Sequence, residues 1–273
     1  MKFLLLLMLA LSFGCASHSK IKEQYKLYKA VHSEHRSEKN KQRDVYRHPL
    51  ETLNFFEVKS DMKVVEVAPG GGWYTEVLGP YLKEGELFLT VYSEDSKRSY
   101  APRLNKKIKA LTSNKKIFGK VHFSTLETPL AINDVAPANS VDRVLTFRNV
   151  HSWMKDNKAK EVFAKFFKAL KPGGILGVVE HRAKMNKKQD PKAKSGYVRE
   201  DYLIDLAISQ GFEFVAKSEV NANYNDDSSH SEGVWTLPPS LRLKEKNKSK
   251  YLAIGESDRM TVKFRKPIAN DSK

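Results

Sequence analysis

Lys63–Val67 (KVVEV) has the apolar character of a strand and runs straight into Ala68-Pro69-Gly70-Gly71-Gly72. Trp73, Val77, Leu78, Tyr81 and Leu82 follow at helical spacing, and Gly85 marks a stop. No other stretch limits the possible folds so tightly. A nearly continuous apolar strand needs cover on both faces. Consecutive glycines let the backbone turn sharply and come close to a ligand at a helix N-terminus. Strand, glycine loop and helix in this order open a parallel α/β sheet that carries its ligand at the carboxyl end of the strand.

The chain continues in the same alternation. Leu87–Tyr92 predicts a second strand, residues 97–117 a basic helix, Lys120–Phe123 a third strand and Val141–Phe147 a fourth. Ala159, Val162, Phe163, Phe166, Phe167 and Leu170 lie three or four apart, the spacing of an amphipathic helix. Lys171-Pro172-Gly173-Gly174 ends that helix before a fifth strand, Ile175–Val179. Glu200–Gln210 predicts a helix closed by Gly211, Phe212–Val220 a sixth strand and Met260–Phe264 a last one. Helices of 10–15 residues between strands predict a doubly wound, mostly parallel α/β sheet. No clear helix separates the last two strands, so the last is expected to be antiparallel. Residues 221–258 form a long insertion between them. With Asp226, Asp227, His230 and Trp235 it is placed over the ligand side, either as a lid or as a static loop pinned by Pro238 and Pro239.

The first fifteen residues, MKFLLLLMLALSFGC, stand apart. The apolar run from Phe3 to Phe13 is shorter than the roughly 20 residues that span a bilayer and suits the core of a secretory signal peptide. It ends in Gly14 and in Cys15, the single cysteine of the chain. This resembles a bacterial lipobox, with Ser12 where leucine is usual. The expectation is an exported, periplasmic protein anchored to the membrane by lipid on Cys15; the alternative is ordinary signal cleavage. Residues 16–45 then form a charged helical segment, with Ile21, Tyr25, Tyr28 and Val31 near helical spacing, that either packs on the domain or spaces it from the membrane. The domain itself covers 46–267, and 268–273 is a tail. One cysteine excludes an intrachain disulfide framework and a cysteine-built zinc or iron–sulfur site. The formal net charge of +16 is spread along the chain, with no basic arm and no zinc-finger spacing, so no specific nucleic-acid partner is expected.

The loop spacing separates two ligand classes. A dinucleotide fingerprint needs a third small residue that packs helix on strand, and its place falls at Trp73 or Thr75. An acid two residues before a small-x-Gly-x-Gly loop, here Glu66 with Ala68, Gly70 and Gly72, resembles motif I of class I S-adenosylmethionine-dependent methyltransferases. Ala68 stands in place of the first glycine. VDRVLTF with Arg148-Asn149-Val150-His151 resembles the fourth-strand motif of these enzymes, and LKPGGILGVVEHR their fifth strand. A closer resemblance is to a family of exported bacterial proteins described as predicted methyltransferases. It is carried by RHPLETLNFF (47–56), APGGGWYTE (68–76), LTFRNVHSWM (145–154), VVEHR (178–182), SEVNAN (218–223), GVWTLPP (233–239) and AIGESDRMTVKF (253–264).

The resemblance implies a Rossmann-like, seven-stranded methyltransferase fold with S-adenosyl-L-methionine as cofactor. It places Glu66, Ala68, Gly70, Gly71 and Gly72 at the methionine end, Glu94 (or Asp95) at the ribose, and Arg148 and Asn149 beside the cofactor. Glu127 is a weaker candidate near the adenine. His151, His181 and Arg182 leave the fourth and fifth strands on the ligand side. His151 is a candidate general base, with a structural hydrogen-bonded histidine as the alternative, and Arg182 a candidate ligand for an anionic substrate. His32-x-x-His35 has no third partner, and no metal site is expected. The function expected is an exported methyltransferase acting on a small molecule or an envelope component. A non-enzymatic binding lipoprotein with the same fold is the alternative, and a dinucleotide oxidoreductase is the less favoured one.

Overall fold

A computed structural model describes residues 19–268 of the chain. The expected leader, with Gly14 and Cys15, lies outside the described residues. Residues 19–31 form α1, followed by three short helices, α2 (Glu38–Lys41), α3 (Asp44–Arg47) and α4 (Pro49–Phe55). The alternating body then runs β1 (Lys63–Val67), α5 (Thr75–Tyr81), β2 (Glu86–Val91), α6 (Ala101–Thr112), β3 (Lys120–Glu127), β4 (Ala131–Ile132), β5 (Val141–Phe147), α7 (Val150–Lys155), α8 (Ala159–Ala169), β6 (Leu170–His181), α9 (Glu200–Ile208), β7 (Glu213–Ser218), α10 (Lys248–Ile254) and β8 (Arg259–Arg265).

The sheet order is β4-β3-β2-β1-β5-β6-β8-β7. Strands β3, β2, β1, β5 and β6 pair in parallel, and β8 inserts antiparallel between β6 and β7. The α/β class and the antiparallel last strand agree with the sequence expectation. The count is eight and not seven, because β3 continues to Glu127 and its end pairs with the two-residue β4. The helix expected over 97–117 is confined to Ala101–Thr112.

Alternation along β1 builds two cores. Val65 and Val67 face a cluster with Val162, Phe163, Phe166 and Leu203 from α8 and α9, whereas Val64 faces one with Val77 and Leu78 of α5. Neighbouring side chains on a strand point to opposite faces, so both layers of helices are covered by one strand sequence. The second cluster also contains Leu27, Ala30 and Val31 of α1. Residues 19–45 are therefore packed onto the body and do not stand off from it.

The insertion after β7 is held by one carboxylate. Asp226 is fully buried and accepts from Tyr197 Oη (2.8 Å), Ser228 N (2.8 Å) and Asp258 N (2.8 Å), with His230 Nε2 2.9 Å away. A carboxylate satisfied on this many sides fixes the loop as part of the body. Of the two expectations, the static loop fits these contacts.

Candidate active site

The carboxyl end of β1 turns through residues that glycine would ordinarily occupy. Ala68 has φ +46, Gly70 +58 and Gly72 +86. Ala68 N donates to Thr90 Oγ1 (2.7 Å), which fixes the first turn against β2. A β-carbon at Gly70 would meet nothing within 4 Å, because this position opens into a cavity of about 380 Å³. That cavity is lined by Glu66, Ala68, Gly70, Gly71, Tyr74, Arg148 and Asn149, together with Arg43 and Arg47 from the N-terminal segment. Gly72 has a different role from the one expected of it. Its β-carbon would lie 2.8 Å from Leu111 Cδ2 and 3.0 Å from Ile108 Cδ1, so the missing side chain makes room for α6 and not for a ligand.

Glu66 sits 2% exposed at the floor of the cavity, and Thr75 Oγ1 donates to its Oε2 (2.7 Å). Among the described residues nothing donates to its Oε1. Burial pushes its pKa up to about 8, against the opposing pull of the Thr75 hydrogen bond and of Arg47. Burial penalises the charged carboxylate, and the partners supply too little to offset it. Asn149 precedes α7 and donates through Nδ2 to Val67 O and Thr146 Oγ1, both 3.1 Å, tying β5 to the loop.

Arg148 leaves β5 with φ +63, a conformation that costs a bulky residue about 1–2 kcal/mol. Its amide donates to Val179 O (2.7 Å). The guanidinium makes no ion pair or hydrogen bond among the described residues, and burial and Arg259 pull its pKa down to about 9. A second cavity of about 210 Å³ shares Arg43, Arg47 and Arg148 with the first and adds His181, Trp235, Ser257 and Arg259.

The two histidines lie close together but face different spaces. Their ring centroids are 5.5 Å apart. His151 Nδ1 is 3.1 Å from Glu180 Oε1, and Glu180 also accepts from His151 N (3.3 Å) and His181 N (2.8 Å). With Nδ1 donating to a fully buried carboxylate, His151 keeps Nε2 as its acceptor. It lines a third cavity of about 580 Å³ beside Trp235. His181 faces the second cavity, with Nδ1 2.5 Å from Ser257 Oγ. Desolvation, then the charges of His151, Arg259, Arg148 and Arg47, hold it well below the ordinary imidazole pKa. His151, Glu180 and His181 lie within reach of one ion. His151 Nδ1 and His181 Nδ1 are engaged with Glu180 and Ser257, while the two Nε2 atoms carry no hydrogen bond among the described residues.

Three expected site residues sit elsewhere. Arg182 turns away from the cavities: Nε and Nη2 donate to the two oxygens of Asp258 (3.0 and 2.9 Å) and Nη1 donates to Glu219 (2.9 Å). An arginine whose fork is filled by buried Asp258 and exposed Glu219 holds loops together and has no donors left for a substrate. Glu94 is exposed in a turn beyond β2 and lines none of these cavities; Tyr92 occupies the end of the strand beside the loop. Glu127 is buried, but it accepts from Ser93 N (3.0 Å), Ser96 Oγ (2.6 Å) and Arg98 Nε (3.2 Å), so it organises the turn after β2. His35 Nε2 lies 2.9 Å from Glu76 O, which ties the N-terminal segment to α5, and His32 Nδ1 lies 2.9 Å from Tyr28 O at the end of α1.

Sequence inspection missed Arg43, Arg47, Arg259 and Glu256. Arg47 stands in the RHP segment, where its proximity to a helix start was the available signal. Arg259 and Glu256 lie in the stretch GESDR, which carried a resemblance but no assigned chemistry.

The sequence matches no protein-family model and none of the curated proteins. Solved structures do resemble it. An S-adenosylmethionine-dependent methyltransferase from Aquifex aeolicus is similar at TM-score 0.53 and 15% identity, over 89% of this chain and 98% of that one. The cyclase SpnF is similar at TM-score 0.53 and 14% identity, over 80% and 79%. A methyltransferase of the same cofactor class from Methanosarcina mazei gives TM-score 0.50 at 15% identity, over 79% and 97%. At such identities the likeness concerns architecture. The chain has the Rossmann-like α/β fold of the S-adenosylmethionine-dependent methyltransferases.

Proposed function

We propose that the chain binds S-adenosylmethionine and transfers its methyl group to a small-molecule or envelope acceptor. The observation that supports this most is the cavity at Gly70. It opens where a β-carbon would intrude, has Glu66 with one unshared oxygen at its floor, and runs on to Asn149 and Arg148. Glu66 would hold the methionine amine and one of the arginines the methionine carboxylate, while the backbone of Ala68–Gly71 takes the close approach. Tyr92 lines the same cavity at the end of β2. The cofactor supplies a methyl on a sulfonium, which an acceptor lone pair takes as the carbon–sulfur bonding pair returns to sulfur.

The protein's part is chiefly placement. His181 shares its cavity with Arg148, which also borders the cofactor space, and so is better placed than His151 to receive the acceptor's proton. Burial and the neighbouring cations lower its pKa, so the ring would be a neutral hydrogen-bond acceptor for the acceptor group and not a strong base. His151, oriented by Glu180, backs it at 5.5 Å. Arg182 stays outside this scheme. Export, with a lipid on Cys15, belongs to the same proposal and rests on the leader sequence and on the resemblance to exported predicted methyltransferases.

A second reading is favoured by one observation: the end of β2 presents no acid to a ribose, since Glu94 is exposed and outside the cavities. A binding protein without transferase activity accounts for that. Fold alone does not decide, as the cyclase on this architecture illustrates. Calorimetric titration of the purified chain with S-adenosylmethionine, S-adenosylhomocysteine and NAD is the test. Binding of the first two and not of NAD is expected. NAD binding with neither of the others would overturn the proposal.

A further inference from the structure

The two adjoining cavities contain more positive charge than the cofactor accounts for. Arg43, Arg47, Arg148 and Arg259 converge there, and Glu256 is the one carboxylate among them. Arg43 Nε takes Glu256 Oε1 at 2.5 Å and Arg259 takes Oε2. These cations overcome the effect of burial and hold Glu256 at about 2, so it stays fully ionised and fully used. Glu66, the other acid on the cofactor side, is largely protonated near neutral pH.

Two guanidiniums are left over. Arg47 is 4% exposed, its Nε has no hydrogen-bond partner, and its approach to Glu256 is 3.9 Å. Its guanidinium lies 4.6 Å from the centre of the Trp73 ring, an attraction that does not satisfy its N–H groups. Arg148 is likewise unpaired among the described residues, and its left-handed backbone is retained despite the cost. Buried charges are ordinarily paired. The planar forks of arginine match oxyanions two donors at a time. Four arginines against one ionised carboxylate, with Lys39 and Lys107 also on the wall of the first cavity, leave an excess that a single carboxylate from the cofactor does not cancel.

We propose that the methyl acceptor carries a phosphate-monoester dianion, bound by Arg47 and Arg148 in the cavity that also holds Arg259, His181 and Ser257. This rests on the methyl-transfer function proposed above. Such an anion would neutralise the remaining excess and leave the rest of the acceptor facing His181.

The test titrates the full chain with inorganic phosphate, at constant ionic strength, with and without saturating S-adenosylhomocysteine. Phosphate should bind alongside S-adenosylhomocysteine, and Arg148→Asn should weaken that binding about tenfold or more. Asparagine tolerates positive φ, so this variant should keep its melting temperature. The exposed Lys246→Gln should leave phosphate affinity unchanged. Displacement of S-adenosylhomocysteine by phosphate, one for one, would assign the arginines to the cofactor carboxylate and overturn the proposal. So would S-adenosylhomocysteine binding with no phosphate binding, which leaves the methyltransferase function standing. Failure of S-adenosylhomocysteine itself to bind would remove both. Tighter binding of malonate than of phosphate would refute the phosphate class. Glycerol phosphate and vesicles of phosphatidylcholine with phosphatidic acid distinguish a soluble from a lipid source. Either supports the proposal when Arg148→Asn abolishes its binding; vesicle binding insensitive to that change, with no glycerol phosphate binding, overturns it.

Discussion

Glu66→Gln should change how stability depends on pH. The native carboxyl keeps its proton up to about pH 8, whereas its ordinary value is 4.5. Between those values the folded chain binds more protons at this site than the unfolded chain does. Stability contributed here is therefore lost as pH rises. Integrated from pH 5 to pH 8, this single group removes about 3–4 kcal/mol. Glutamine accepts the Thr75 hydrogen bond equally well but has no proton to lose. The gap in melting temperature between variant and wild type should therefore widen by on the order of 10 °C across that interval, given roughly 2–4 °C per kcal/mol for a chain of this size. Thermal melts of both proteins at pH 5, 6, 7 and 8, at one ionic strength, measure it. Calorimetry in two buffers of different ionisation enthalpy gives a second readout: cofactor binding at pH 7 should release close to one proton in wild type and none in the variant, because the methionine amine requires the carboxylate. Parallel melting curves, with equal proton release in both, would refute the assignment of a buried, protonated Glu66.

Further outcomes follow from the contacts and from the leader sequence. Gly72→Val should lower the melting temperature by roughly 5–15 °C through its clash with Leu111 and Ile108 and its left-handed backbone. Gly70→Ala should cost only about 1–2 kcal/mol while weakening cofactor binding; equal melting of Gly72→Val and wild type would show that α6 does not need the space. Arg182→Gln should destabilise by about 2–4 kcal/mol, because it leaves buried Asp258 with only the Asn223 amide and a distant Lys184, yet leave cofactor affinity unchanged; a stable variant with lost acceptor binding would restore Arg182 to the site. Cys15→Ser should move the protein from the membrane to the soluble fraction, and a variant that stays membrane-bound, with no fatty acid taken up by wild type, would exclude the anchor.

The sheet was legible because its central strands are buried on both faces and so carry predominantly apolar runs, as in Val64–Val67 around Glu66 and Val144–Phe147 around Thr146. The two-residue β4 was not, since two residues carry no period. The flanks of α6, rich in lysine and serine, have the composition of a solvated helix but no apolar anchor to hold one. Within the site, Glu66, Ala68, Gly70, Gly71 and Asn149 were readable from local order along the chain, because the loop and the strand end are contiguous in sequence. Of the arginine cluster only Arg148 was. Arg43 and Arg259 are brought together only when β8 inserts beside β6, and no local pattern encodes that long-range pairing. Glu94 was chosen by its distance past β2. The chain instead turns at Ser93, whose amide donates to Glu127, and carries Glu94 into solvent.

Trp73 shows where the folding unit begins. Its indole Nε1 donates to Asn40 O (2.8 Å), and the guanidiniums of Arg36 and Arg47 lie 5.1 and 4.6 Å from its ring centre. A residue at the mouth of the glycine loop is thereby clamped from the segment that precedes the alternating body. A chain cut at residue 46, where the methyltransferase resemblance begins, would lose Asn40 and Arg36 from this clamp and Leu27, Ala30 and Val31 from the core. Trp73 and the part of the core that these residues cover would then be exposed, and aggregation on expression is the expected result. The N-terminal segment is thus inherited together with the loop: grafting a relative's segment onto this body would transplant part of the cavity wall with it.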